Sequence, residues 1–195
     1  MSDLASGTLI NLLSRIAAVS CGLVITLITA RLGTEPQGQF ALFVAVEAVL
    51  LAACSGLGIA LARRVSHLGQ SPAGLVSATV LACVGLGGVL GVVLWLGARL
   101  LGGAYAPLWL LASVLPLALI TPNLTGLWLG QGRMGPIAGL TVSAPLLTLL
   151  GMAGAVLAGV PFSVMTVLIA WVLARLLVSV ASVAAATGSG WAAPE

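Results

Sequence analysis

Charged residues are almost missing from this chain. Asp, Glu, Lys and Arg make up 6% of its 195 residues, whereas they make up about 25% of an ordinary soluble domain. Apolar residues make up 61%, and the mean hydropathy is +1.24. So few charges cannot cover the surface of a water-soluble domain. The sequence therefore predicts an integral membrane protein, which narrows the function to transport, chemistry within the membrane, or scaffolding of other membrane proteins.

Residues that commonly carry catalysis or metal binding are also scarce. Lysine is absent, so the net charge of +3 comes from arginine, and no basic cluster indicates nucleic-acid binding. The single histidine, His67, falls in a predicted loop without nearby metal-ligating partners. The three cysteines, Cys21, Cys54 and Cys83, lie in apolar runs and are interpreted as small packing residues. The sequence predicts no enzymatic activity, no cofactor and no metal site.

What the chain has instead is a series of six long apolar segments. Each is long enough for a membrane-spanning helix, which needs about 20 residues. Short connections separate them, including an expected loop at residues 31–38, so consecutive helices should be antiparallel neighbours. We expect an all-α membrane bundle within residues 1–187 and a short tail at 188–195. The predicted spans are residues 8–30, 40–62, 73–97, 107–128, 137–158 and 163–186.

The distribution of arginines over the loops predicts the orientation. Arg63, Arg64 and Arg133 fall on the same side as the N terminus, and Arg31 and Arg99 fall on the other side. Cytoplasmic loops carry the excess of positive charge in membrane proteins. We therefore expect a multi-pass protein of the cytoplasmic (inner) membrane with both termini in the cytoplasm.

Three charges lie inside the predicted spans: Arg15, Glu47 and Arg175. A charge in the hydrocarbon core costs at least ~2.5 kcal/mol, so each should face a partner or a watery cavity. Two arginines and one glutamate leave one positive charge over, which suits an anionic ligand such as a phosphate or pyrophosphate. Two alternatives remain open. In the first, the Arg15 side chain reaches the cytoplasmic interface, and Glu47 and Arg175 form a structural pair. In the second, Glu47 couples transport to a proton or cation.

Two asparagines extend the list of candidate substrate-binding residues. Asn11 lies one helical turn before Arg15 and should share its face. Asn123 follows Pro122, which removes one backbone hydrogen bond and should kink the fourth helix. Interrupted polar helices often line transporter sites. The alternative is that Asn123 satisfies a carbonyl that the proline leaves free.

Two stretches resemble a known family. Ala30-Arg-Leu-Gly-Thr-Glu-Pro-Gln-Gly-Gln-Phe-Ala-Leu42 resembles the first outer loop of polysaccharide flippases, in the multidrug/oligosaccharidyl-lipid/polysaccharide exporter superfamily. Trp128-Leu-Gly-Gln-Gly-Arg-Met134 is similar to that family's connection between helices four and five. The first loop is one residue shorter than the family pattern, and Gln37 replaces the usual bulky residue. Family members carry about twelve to fourteen helices in two lobes, and this chain supplies six.

The resemblance implies one lobe of a two-lobe fold that moves undecaprenyl-diphosphate-linked oligosaccharide across the cytoplasmic membrane. In that family, arginines on inner helices hold the pyrophosphate, and Arg15 matches such a position by spacing. The implied partners are the lipid bilayer, a lipid-linked oligosaccharide, and a second six-helix lobe or an identical copy. Two alternatives remain: half of a cation-coupled drug exporter, or a scaffold or truncated fragment that transports nothing.

Overall fold

The protein is an all-α bundle. The structure, a computed structural model, describes residues 2–68 and 72–190, and regular structure in these residues is entirely helical. The helices are α1 (Ser2–Ala30), α2 (Thr34–Cys54), α3 (Gly56–Leu68), α4 (Pro72–Leu101), α5 (Leu108–Ala118), α6 (Ile120–Gly130), α7 (Met134–Leu157) and α8 (Val164–Gly190), with a 3-10 turn at Gly103–Tyr105.

These helices form six membrane-length stretches within the described ranges, which confirms the predicted fold class. The second stretch is α2 followed by α3, and the fourth is the 3-10 turn followed by α5 and α6. The stretches are Gly7–Ala30, Thr34–His67, Gly74–Leu101, Gly103–Gly130, Met134–Leu157 and Val164–Thr187. The multi-pass character expected from hydropathy follows from these helices, while the orientation stays a prediction.

The helices extend further than the predicted spans. Helix α2 begins at Thr34, so most of the loop expected at residues 31–38 is helical. Pro36 is tolerated because the first turn of a helix has no acceptors for its N–H groups, and Glu35 there favours the positive end of the helix dipole. His67, expected in a loop, lies in the last turn of α3. The expected tail at 188–195 starts as the end of α8, and residues 191–195 lie outside the described part of the chain.

The fourth and sixth spans form the centre of the bundle. In the most apolar stretch of each span, 56% of residues in the fourth and 44% in the sixth are buried, against 17–22% in the others. Helix α4 packs on α5, α3 on α6, and α1 on α7, while α8 contacts α5, α6 and α7. The outer spans therefore present broad apolar surfaces, as a bilayer requires.

Two spans are interrupted near their middles, and the interruptions adjoin each other. Pro122 cannot donate to Ala118 and its ring crowds that carbonyl, so the helix breaks at Leu119. The second span breaks at Ser55, three residues before Gly58. A Cβ at Gly58 would lie 3.1 Å from the Asn123 backbone. This contact joins α3 to α6 at the level of both breaks.

Glycines allow the closest approaches between helices. A Cβ at Gly126 on α6 would overlap the Gly58 carbonyl oxygen, and a Cβ at Gly130 would lie 2.9 Å from the Ala62 oxygen. On α4, a Cβ at Gly87 would lie 2.5 Å from Pro116 Cα. Lipid provides no hydrophobic driving force between helices, so close packing at small residues such as these stabilises the helix contacts.

Candidate functional site: an arginine-lined groove

Glu47 and Arg175 form a partly buried ion pair between α2 and α8. The Glu47 side chain is 2% exposed, and its Oε1 lies 2.9 Å from Arg175 Nε. Arg175 Nη2 also donates a long hydrogen bond of 3.4 Å to Oε2. The Nε–Oε1 contact meets the distance but not the angle of a hydrogen bond. Coulomb attraction therefore contributes more to this pair than hydrogen-bond geometry does.

An aromatic shell supports the pair. Trp171 lies one turn before Arg175 on α8, and its indole Nε1 donates a 2.8 Å hydrogen bond to Glu47 Oε2. The Arg175 guanidinium carbon lies 5.2 Å from the centre of the Trp171 ring. Phe40, two turns before Glu47 on α2, meets the same ring edge-on at 5.7 Å. Trp171 and Arg175 are four residues apart and therefore lie on one face of α8. From there Trp171 orients the Glu47 carboxylate and Arg175 neutralises its charge.

Arg175 also faces an open groove that continues to Arg15. The groove consists of two adjoining cavities of about 530 and 350 Å³, which share Arg15, Thr125, Ile137 and Thr141. The larger cavity also includes Asn11, and the smaller includes Arg175. We call the combined space the arginine groove. Its polar lining residues are Asn11, Arg15, Thr121, Thr125, Thr141, Arg175 and Ser179.

Arg15 is the groove cation without a carboxylate partner. Its side chain is exposed, and among residues 7–68 and 74–187 no Asp or Glu lies within ion-pair distance of it. Because Glu47 neutralises one of the two arginines, the groove and its adjoining pair carry one net positive charge. The arrangement therefore favours an anion.

The hydroxyl groups of the groove contribute less to anion binding. Thr125 donates 2.6 Å to the Pro122 carbonyl, and Thr141 donates 2.8 Å to the Ile137 carbonyl. Thr121 donates a 3.2 Å hydrogen bond to the Ser179 hydroxyl oxygen. The hydroxyls of Thr121, Thr125 and Thr141 therefore already donate within the protein and would have to rotate to donate to an anion. The guanidinium groups are accordingly its main donors.

Asn123 lies apart from the other candidate residues. It is fully buried, accepts a 2.7 Å hydrogen bond from the Gly58 N–H and donates a 2.8 Å bond to the Leu119 carbonyl. These bonds join α6 to α3 beside the two helix breaks, but the acceptor is the Leu119 carbonyl and not the Ala118 carbonyl that Pro122 leaves free. The structure thus brings together Asn11, Arg15 and Arg175 along the groove, with Glu47 behind Arg175.

Comparisons of the chain with protein-family models, with curated proteins and with solved structures find no match. A fold alone does not determine function, so the functional argument depends on the groove and on the sequence motifs.

Sequence reasoning missed three contributors to the site. Trp171 gave a usable signal, because a tryptophan one turn from an intramembrane arginine is placed to stack on it. Thr141 and Ser179 gave none, since a lone hydroxyl in an apolar helix most often bonds its own backbone. Within residues 2–68 and 72–190, no group of three His, Cys, Asp or Glu residues could hold a metal ion.

Proposed function

We propose that this chain is a membrane transport protein that moves an anionic, lipid-linked substrate. The substrate class is an undecaprenyl-diphosphate-linked oligosaccharide carried from the cytoplasmic to the outer leaflet. The observation that supports the proposal is the arginine groove, in which Arg15 and Arg175 line one space between membrane-spanning helices. Guanidinium groups bind phosphate oxygens through paired donors, and no covalent chemistry is required of the site.

The composition of the groove fits an amphiphilic substrate. Beside the arginines it is lined by apolar side chains of α1, α6 and α7, among them Val19, Leu129 and Ile137. A diphosphate can lie against the guanidinium groups while a prenyl chain stays in contact with apolar helices. The loop and turn motifs described above favour the same substrate class. By the same resemblance, a second six-helix lobe or a second copy completes the transporter.

A cation-coupled drug exporter is less well supported. That function needs a carboxylate that is open to a positively charged substrate, and Glu47 is 2% exposed and paired with Arg175. The excess of positive charge in the groove also disfavours a cationic drug.

Binding in lipid nanodiscs tests the proposal. The probe is undecaprenyl-diphosphate N-acetylglucosamine, and its dissociation constant is measured for the wild type, Arg15→Gln and Arg31→Gln. Loss of a charge-assisted hydrogen bond costs about 1.5–3 kcal/mol, so Arg15→Gln should weaken binding by roughly 10- to 100-fold. Arg31 is exposed beyond the end of α1 and outside the groove, so Arg31→Gln should bind as the wild type does.

Equal affinities for the wild type and Arg15→Gln would remove the groove from substrate binding. A wild type that binds the probe no better than a neutral undecaprenol would defeat the proposal and favour a scaffold that transports nothing.

A further inference from the structure

Arg175 lies where it can exchange its partner Glu47 for an anion in the groove. The Arg175 side chain is 31% exposed and lines the groove, while Glu47 behind it is 2% exposed. Arg175 uses Nε and Nη2 toward Glu47, and no hydrogen bond within the described residues involves Nη1. One edge of the guanidinium therefore remains available to a ligand. An anion near Arg15 competes with Glu47 for the same cation.

Moving Arg175 toward such an anion would leave Glu47 in an unfavourable state. Its remaining partner is the Trp171 indole, and Phe40 and Phe43 on α2 are buried core residues near it. A carboxylate that loses its cation in a buried site is strongly destabilised, and taking up a proton relieves that cost. The groove supplies the route for the proton once Arg175 has moved.

We propose that Glu47 is a proton-binding site coupled to the anion, so that binding of a dianionic diphosphate draws Arg175 away and Glu47 takes up one proton from the groove. This inference rests on the proposed function. It adds a second ligand, the proton, and assigns it to a named residue.

Charge balance supports a stoichiometry of one proton. Arg15, Arg175 and ionised Glu47 together carry one positive charge, whereas a diphosphate diester carries two negative charges. A proton on Glu47 makes the occupied site neutral. A phosphate diester carries one negative charge, which Arg15 alone balances, so it should bind without proton uptake.

Few titratable side chains lie on the elements packed against α2. Within the described residues, Arg175 is the charged group at ion-pair distance from Glu47. Of the elements packed against α2, α5 carries no titratable side chain. Apart from residues 1–6, helix α1 carries Arg15 and Cys21, α8 carries Arg175, and the 3-10 turn carries Tyr105. Helix α2 itself carries Glu35 and Cys54 besides Glu47.

The experiment measures proton uptake during ligand binding in nanodiscs, with a pH-indicator dye in weakly buffered solution. The two probes are undecaprenyl-diphosphate N-acetylglucosamine and undecaprenyl-phosphate N-acetylglucosamine. The wild type should take up about one proton with the diphosphate and close to none with the monophosphate. Because protons are bound together with the diphosphate, its dissociation constant should rise by up to about tenfold per pH unit as the pH increases.

Two variants locate the proton. Glu47→Gln should abolish uptake and make diphosphate affinity independent of pH. Glu35→Gln changes an exposed carboxylate in the first turn of the same helix, and it should behave as the wild type does. A second measurement guards against misfolding of Glu47→Gln. Infrared difference spectra of the wild type and Glu35→Gln should show the carbonyl stretch of a protonated carboxyl group when the diphosphate binds.

The outcomes separate this inference from the proposed function. Diphosphate binding without proton uptake, equal uptake with both probes, or uptake retained in Glu47→Gln would each overturn the coupling and leave the flippase proposal standing. Absence of the infrared band would do the same. A wild type that binds neither probe would overturn both proposals.

Discussion

Gly87 on α4 gives the sharpest test of how this bundle packs. A Cβ built at Gly87 would lie 2.5 Å from Pro116 Cα and 2.9 Å from the Leu115 carbonyl oxygen on α5. These are backbone atoms of a helix at the centre of the molecule, so a side-chain rotation cannot relieve the contact. The helices would have to separate.

Gly87→Ala should therefore destabilise the protein, although alanine favours helix. Overpacking of this kind costs about 1–3 kcal/mol, and helix propensity returns at most about 1 kcal/mol. Gly85→Ala is the matched control, because a Cβ there meets nothing within 4 Å in the same helix. That variant should be neutral or slightly more stable.

The buried thiols provide the assay. Cys54 and Cys83 are free and buried, so a thiol-reactive fluorophore reports their exposure when the protein is heated in detergent. One kcal/mol corresponds to about 2–4 °C in Tm for a chain of this size, so Gly87→Ala should melt several degrees below Gly85→Ala. If the two variants melt together, the close approach of α4 to α5 is not present in the protein.

Two further predictions address the interrupted spans and the orientation. Asn123→Leu should lower stability by about 1–3 kcal/mol, because it removes two buried hydrogen bonds, one from the Gly58 N–H and one to the Leu119 carbonyl; the same thiol assay measures it, and an unchanged Tm would contradict these hydrogen bonds. Reporter fusions at the loop residues Gly102 and Gly132 should place the first outside and the second in the cytoplasm, and the reverse result would invert the predicted topology.

The six spans could be predicted from the sequence because lipid leaves no other option for apolar segments of this length. Backbone groups in hydrocarbon must be paired internally, so each segment becomes a helix. The start of α2 at Thr34 was harder to predict. Gly, Pro and Glu in residues 33–36 are typical of a loop, yet Pro and Glu are equally suited to a first helical turn. Local composition therefore does not distinguish a loop from the first turn of a helix.

The charged residues of the site were predictable, but their pairing was not. Arg15, Glu47 and Arg175 stand out because charge in a membrane segment is costly. Which arginine meets Glu47 depends on how α2 packs against α8, and the paired residues are 128 positions apart in the chain. No periodicity within one helix carries that information. The prediction of an unmatched positive charge needed only the count of charges.

The amide of Asn123 and the guanidinium groups of the groove show why polarity alone is a poor guide to a membrane site. Asn123 was a reasonable candidate, since a buried amide in an apolar span is expensive. Its oxygen accepts from Gly58 and its nitrogen donates to Leu119, so both ends of the amide bond backbone groups beside the two helix breaks. Arg15 and the Nη1 edge of Arg175 keep donors that no described residue uses. Under the proposed function, unused donors of this kind would hold the anion, and they lie in the groove, which α6 lines beside its break through Thr121 and Thr125.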